Sequence, residues 1–107
     1  MTAIRPRQLS VGIILAESFS LSSFAIFTDL LRLAADEGDR SRPLLVKWHV
    51  MGPAGRSIPS SCGARIEPAT RFLSPGELDY VVVIGGVLHA GPQINDVTAG
   101  YLWAAAR

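Results

Sequence analysis

Asp79 to Gly85 (DYVVVIG) is an apolar, β-branched run with no alternation of polar and apolar residues, and Val11 to Ala16 (VGIILA) is a second. A strand with one face in water alternates. A run without alternation fits a strand covered on both faces, as in a parallel sheet flanked by helices. A third run, Leu44 to Met51 (LLVKWHVM), is closed by Gly52-Pro53, a strong turn signal. After Val11 to Ala16, Leu21, Phe24, Phe27, Leu31 and Ala34 recur at helical spacing, and Leu30 and Leu33 widen the stripe. Ser20 or Ser22 suits the N-cap of that helix. Asp36, Glu37 and Gly38 end it, with Gly38 suited to the left-handed conformation of a helix stop.

The rest of the chain connects these pieces. Asp39 to Pro43 reads as a polar loop. Two short extended segments, around Arg56-Ser57-Ile58 and Arg65-Ile66-Glu67, flank Ser60, Ser61 and Gly63 and suggest a small hairpin. Phe72 to Leu78 is a connector with room for one helical turn. Gly86 to Asn95 is a Gly- and Pro-rich loop, and Val97 to Arg107 reads as the start of a helix without a stop signal. Strand, helix, strand, strand, loop, helix is the opening of a doubly wound α/β sheet. The expected architecture is therefore the N-terminal part of a doubly wound parallel α/β sheet, incomplete at this length, with a ragged arm over residues 1–10 and the partial domain over 11–107; the family resemblance given below implies its flavodoxin-like form. The fold is expected to continue beyond Arg107.

Composition narrows the function classes. Of 107 residues, 49% are hydrophobic and 18% charged, too apolar for a disordered segment. The formal net charge of +1 calls for neither nucleic acid nor an anionic membrane. The pairs Arg5/Arg7 and Arg40/Arg42 make no basic face. The single cysteine, Cys62, excludes an internal disulfide framework and a cysteine-rich zinc site, and fits a reducing, cytoplasmic setting. No stretch reads as a signal peptide or a membrane span.

In open α/β sheets ligands sit beyond the carboxyl ends of the strands, where the strand order reverses. Two loops leave such ends: Glu17 to Ser20, and Gly85 to Gly91 (GGVLHAG). In a flavodoxin-like order their strands are neighbours, so the loops face each other. Gly85 and Gly86 let backbone amides approach a ligand closely and hold an oxyanion or carboxylate, or else simply make a tight strand exit. No GxGxxG or GxxxxGK[ST] fingerprint occurs, so nucleotide binding has little support. Glu17 reads as a solvated turn residue and Ser20 as a cap rather than a nucleophile, since no general base is identifiable beside it. His89 reads as an exposed loop histidine and His49 as a structural strand residue. Cys62 has no evident feature to activate its thiol and reads as structural. The two histidines, far apart and without paired carboxylates, make no metal site. No cofactor is expected.

Three segments in order resemble a known family. Leu15 to Ala35 (LAESFSLSSFAIFTDLLRLAA) resembles the first βα unit of the amidotransferase-like domain at the N-terminus of GlxA-type AraC-family transcriptional regulators. Gly52 to Ser57 through Ser61-Cys62-Gly63 is similar to that family's hairpin, and Leu78 to Gly86 (LDYVVVIGG) to its glycine-ended strand. The likeness covers nearly the whole chain after the first ten residues.

The resemblance implies a ThiJ/PfpI-type (class I glutamine amidotransferase-like) domain that senses a small-molecule effector in a pocket at the strand ends. Phe19, Ser20, Gly85, Gly86 and Val87 are then the ligand-contact residues. It implies DNA binding only through a C-terminal helix-turn-helix part absent from this chain. Separately, an incomplete parallel sheet leaves an unpaired apolar edge, so a short chain folded as it stands is expected to self-associate over that edge; no membrane partner is expected. Enzymes of the wider group, cysteine hydrolases, deglycases and hydratases, place a glutamate near the start of the first helix and a cysteine on a later strand-to-helix elbow. Ser20 falls at the glutamate position, Glu17 lies three residues earlier, and the elbow lies outside the chain. No catalytic residue carries over. The enzyme reading remains the alternative to a non-catalytic sensor.

Overall fold

The computed structural model describes residues 8–38, 40–86 and 93–107. The main strands are β1 (Leu9–Leu15), β2 (Val46–Met51) and β5 (Tyr80–Ile84); α1 (Leu21–Ala35) links the first two. A small hairpin of β3 (Ile58–Pro59) and β4 (Arg65–Ile66) and a 3-10 turn (Pro75–Glu77) precede β5, and α2 (Asp96–Ala105) follows. The three main strands form a parallel sheet in the order β2-β1-β5, with Ile13 opposite Val50 on one side and Val82 on the other. The α/β class and the parallel pairing of the first and last apolar runs are as the sequence implied. β1 begins at Leu9, two residues before the apolar run, because Leu9 and Ser10 pair with Val46 and Lys47.

One sheet face packs under α1. Val11, Ile13 and Leu15 from β1 meet Val46 and Ile84 in a buried cluster, with Phe24, Phe27 and Leu31 of the helix laid against it. The Ser20 hydroxyl caps α1 by accepting from the Ser23 amide at 3.4 Å. The helix leaves through an extended Asp36 (φ −147°, ψ 109°) rather than a left-handed Gly38. The buried Asp36 carboxylate accepts from the Gly38 amide (2.9 Å) and from Arg42 Nε (2.8 Å), so a side chain ends this helix. The Arg42 hydrogen bond holds that carboxyl well below its usual pKa. Arg42 is thereby committed to structure.

The opposite face is thinner. A Cβ on Gly12 would meet Met51 Cε at 2.7 Å and Leu78 Cδ1 at 2.8 Å, so the glycine leaves room for both side chains. Beyond Met51, Tyr101 of α2 stacks on Phe72 (ring centroids 4.7 Å apart) and donates its hydroxyl to the Leu73 carbonyl. Asn95 caps α2 by accepting from the Thr98 amide at 2.8 Å. His49 lies within β2 opposite Gly12; burial, and then Lys47, lower its pKa, as fits a structural strand histidine. No helix among the described residues is long and apolar enough to cross a membrane.

Candidate functional site

The carboxyl end of β1 is where the chain's loops converge. The Ala16 amide donates to Ile84 at the end of β5 (3.0 Å). The Glu17 amide donates to Gln93 (2.6 Å), the Ser18 amide to Pro59 of the hairpin (2.9 Å), and the Ser20 amide to Gly85 (2.8 Å). In return the Phe19 carbonyl accepts from the Ser61 amide at 2.8 Å. Bridges pair Phe19 with both Ser60 and Gly86. Five residues therefore stitch together the exits of β1 and β5, the hairpin and the approach to α2.

Local conformation explains how they fit. Ser18 takes φ 59°, a left-handed value uncommon outside glycine, asparagine and aspartate. A Cβ on Gly86 would lie 1.8 Å from the Ser18 carbonyl oxygen and 2.7 Å from Phe19 Cα. Only a residue without a Cβ at position 86 allows the two loops to touch, a tight strand exit, which is one of the two readings open for the glycine pair.

The five residues singled out from sequence are thus distributed as follows. Phe19 is fully buried at 0% exposure, with its ring edge-on to Phe24 (centroids 5.9 Å, interplanar angle 73°). It anchors the loop from below. Ser20 has its hydroxyl on the helix cap and 3.2 Å from Ser22 Oγ. Gly85 gives its carbonyl to Ser20, and Gly86 seats against Ser18. Val87 and His89 lie outside the described residues.

Two features differ from the sequence expectation. Glu17 is not merely a solvated turn residue: its Oε1 lies 2.6 Å from Arg56 Nη2, an ion pair between the β1 exit and the hairpin. This pair borders a cavity of about 10 Å³ lined by Ile14, Met51, Gln93 and Thr98 among others, space for about one water molecule. Cys62 is exposed rather than packed as a structural thiol. Its Sγ lies 3.2 Å from Ser60 Oγ, and that contact, then the Ala64 amide, lowers the thiol pKa. No sequence signal joined Glu17 to Arg56, 39 residues away. No group of three or more His, Cys, Asp or Glu side chains is placed to hold a metal among the described residues.

A parallel β2-β1-β5 sheet with helices joined through such strand-end loops is a flavodoxin-like α/β architecture. No protein-family model matches the chain. It is 33% identical over 78 residues to the HTH-type transcriptional regulator GbdR of Pseudomonas aeruginosa, a match over 73% of this chain and 20% of the relative. The crystal structure of an AraC family transcriptional regulator from Pseudomonas putida superposes with a TM-score of 0.70 at 27% identity, covering 92% of this chain and 58% of that one. A DJ-1 superfamily protein from Agrobacterium tumefaciens superposes with a TM-score of 0.64 at 25% identity, over 92% of this chain and 48% of that one. In fold and sequence the chain is similar to the DJ-1/ThiJ group of α/β domains, including one found in an AraC-family regulator. It spans about a fifth of the length of the curated relatives it matches.

Proposed function

We propose that this chain is the N-terminal part of the effector-sensing domain of a cytoplasmic AraC-family transcriptional regulator, non-catalytic and self-associating. The DNA would be read by helix-turn-helix units elsewhere in the longer protein. The observation that carries this reading is the junction at the carboxyl ends of β1 and β5. The strand order reverses there, since β2 lies on one side of β1 and β5 on the other, and open α/β sheets bind ligands at that crevice. The effector would rest over Ser20, Gly85 and Gly86, with Phe19 fixing the loop beneath them.

The chemistry at the rim favours an effector with a carboxylate. Arg56 already holds one carboxylate, that of Glu17, at 2.6 Å. A guanidinium pairs with a carboxylate in a fork geometry, so a ligand carboxylate can take the place of Glu17. A cavity of about 10 Å³ is far below the roughly 300 Å³ that small-molecule sites begin at. A carboxylate bound by Arg56 would part the Glu17–Arg56 pair and so reach the hairpin.

The enzyme reading draws on the likeness to the DJ-1 superfamily protein. At the position where enzymes of that group keep a glutamate, Ser20 caps α1. Reading the coding DNA in frame past Arg107 separates the two. The sensor reading expects a pair of helix-turn-helix units downstream. A frame that closes soon after a Gly-flanked cysteine would replace it with the enzyme.

A further inference from the structure

The Glu17–Arg56 pair is held differently from the rest of the strand-end junction. The backbone on both sides of the Glu17 side chain is fixed. Its own amide donates to the Gln93 carbonyl at 2.6 Å, and the Ser18 amide donates to Pro59 at 2.9 Å. The side chain itself, among the described residues, is tied at a single point, Oε1 accepting from Arg56 Nη2 at 2.6 Å. Arg56 and Glu17 keep 49% and 29% of their side-chain surface exposed. The pair can therefore open by rotation of two side chains while the backbone ties of the junction stay closed.

We propose that Glu17 is an internal competitor for Arg56, an autoinhibitory contact that a ligand carboxylate displaces and that sets the concentration at which the site responds. The proposal rests on the effector reading given above and adds its regulation.

The geometry makes Glu17 a competitor that can be displaced. A guanidinium presents its N–H donors as a fork, and a free carboxylate takes two of them side by side. Glu17, with its backbone held at the β1 exit, takes one. A ligand that fills the fork gains the contact that Glu17 leaves unmade. Two carboxylates held side by side repel, so occupancy by one disfavours the other. The exposed part of Arg56 lets the ligand approach from solvent, without entering the small cavity beside the pair.

The strength of the pair decides whether it is a threshold or a lock. Arg56 is competent only in the fraction of molecules whose pair is open, and the apparent dissociation constant is the intrinsic one divided by that fraction. A partly exposed ion pair is screened by solvent. On the range measured for such pairs, closure raises the apparent dissociation constant by roughly two- to sixfold. Glu17 therefore tunes the site and does not shut it.

Charge and contact can be separated by substitution. Aspartate keeps the charge but is shorter by a methylene, and the fixed backbone does not carry it closer to Arg56. Glu67 lines a surface groove together with Arg56 and reports the effect of removing a nearby charge without removing the contact.

Chemical-shift titration of the 107-residue chain with acetate and with succinate, followed by NMR, tests this. Glu17→Ala and Glu17→Asp should each lower the dissociation constant of the carboxylate by about two- to sixfold. Glu67→Gln should change it by less than either. Binding detected in Glu17→Ala but too weak to see in the wild type also supports the contact. Binding to the wild type that Glu17→Ala leaves unchanged overturns the competition and keeps the effector reading. Tightening by Glu17→Ala that Glu17→Asp does not share, or that Glu67→Gln equals, is an effect of charge alone and overturns the autoinhibitory contact. Absence of binding in both the wild type and Glu17→Ala overturns the competition and the carboxylate effector together.

Discussion

β1 and β5 look alike as sequences and differ as structures. VGIIL and YVVVI are both apolar runs without alternation. In β1 every residue from Val11 to Leu15 is buried, whereas in β5 Tyr80 and Val83 are exposed and only Ile84 is fully buried. The difference is one of neighbours. β1 has a parallel partner on each side and α1 over one face, while β5, among the described residues, is paired on the β1 side only. Apolar patterning reports that a strand can be covered on both faces; what covers it is decided by elements far away in sequence. The two strands converge at their carboxyl ends, where Leu15 pairs with Ile84 and the loops that follow are tied together.

Substitutions can break this contrast in order of expected effect. Ile13→Ala, in the fully buried centre of β1, should cost about 2–5 kcal/mol of folding stability by chemical denaturation. Gly86→Ala should cost about 1–3 kcal/mol or more, because its Cβ meets backbone at Ser18 rather than a flexible side chain. Hydrogen exchange at the Ser20 amide should rise in the same variant. Ser20→Ala removes a helix cap and should cost about 1 kcal/mol. Val83→Ala, exposed on the outer strand, should stay within about 0.5 kcal/mol of wild type by the same measurement. A Val83 effect as large as that of Ile13 would mean that β5 is covered in solution.

A smaller, pH-dependent effect belongs to the exit of α1. Asp36 has a depressed carboxyl pKa, chiefly because of its hydrogen bond to Arg42. A group depressed in the folded state contributes stability that is complete above its unfolded pKa, near 4, and is lost as acid brings the pH down toward the folded value. The stability difference between wild type and Asp36→Asn should accordingly be constant from neutral pH to about 5 and shrink below it. A difference that grew in acid would contradict the Arg42 pairing.

Much of the fold was legible because it rests on local pattern. The β-branched runs gave the strands, the 3.6-residue stripe with Ser20 gave α1, and Ser60 to Gly63 gave the turn of the hairpin. The site was legible only as a place. The two facing loops follow from strand order, but the role of Phe19 does not, because its burial comes from pairing with Ser60 and Gly86, both far along the chain. The Glu17–Arg56 pair has the same origin. Leu30 and Leu33 extended the apolar stripe in sequence, yet they are exposed rather than packed on the sheet. Cys62 lacked a neighbouring cation, and its partner is instead the Ser60 hydroxyl brought in by the hairpin turn.

The central claim is that the junction at the strand ends receives an effector through Arg56. The most direct test is thermal melting of the chain against a panel of small carboxylates, repeated with Arg56→Ala. A ligand at a hundred times its dissociation constant adds about 2.7 kcal/mol, or roughly 10 °C or more for a domain near this size. The account predicts that at least one carboxylate raises the melting temperature of the wild-type chain and that Arg56→Ala abolishes the rise. A panel with no effect, or a rise that survives the loss of Arg56, would contradict it.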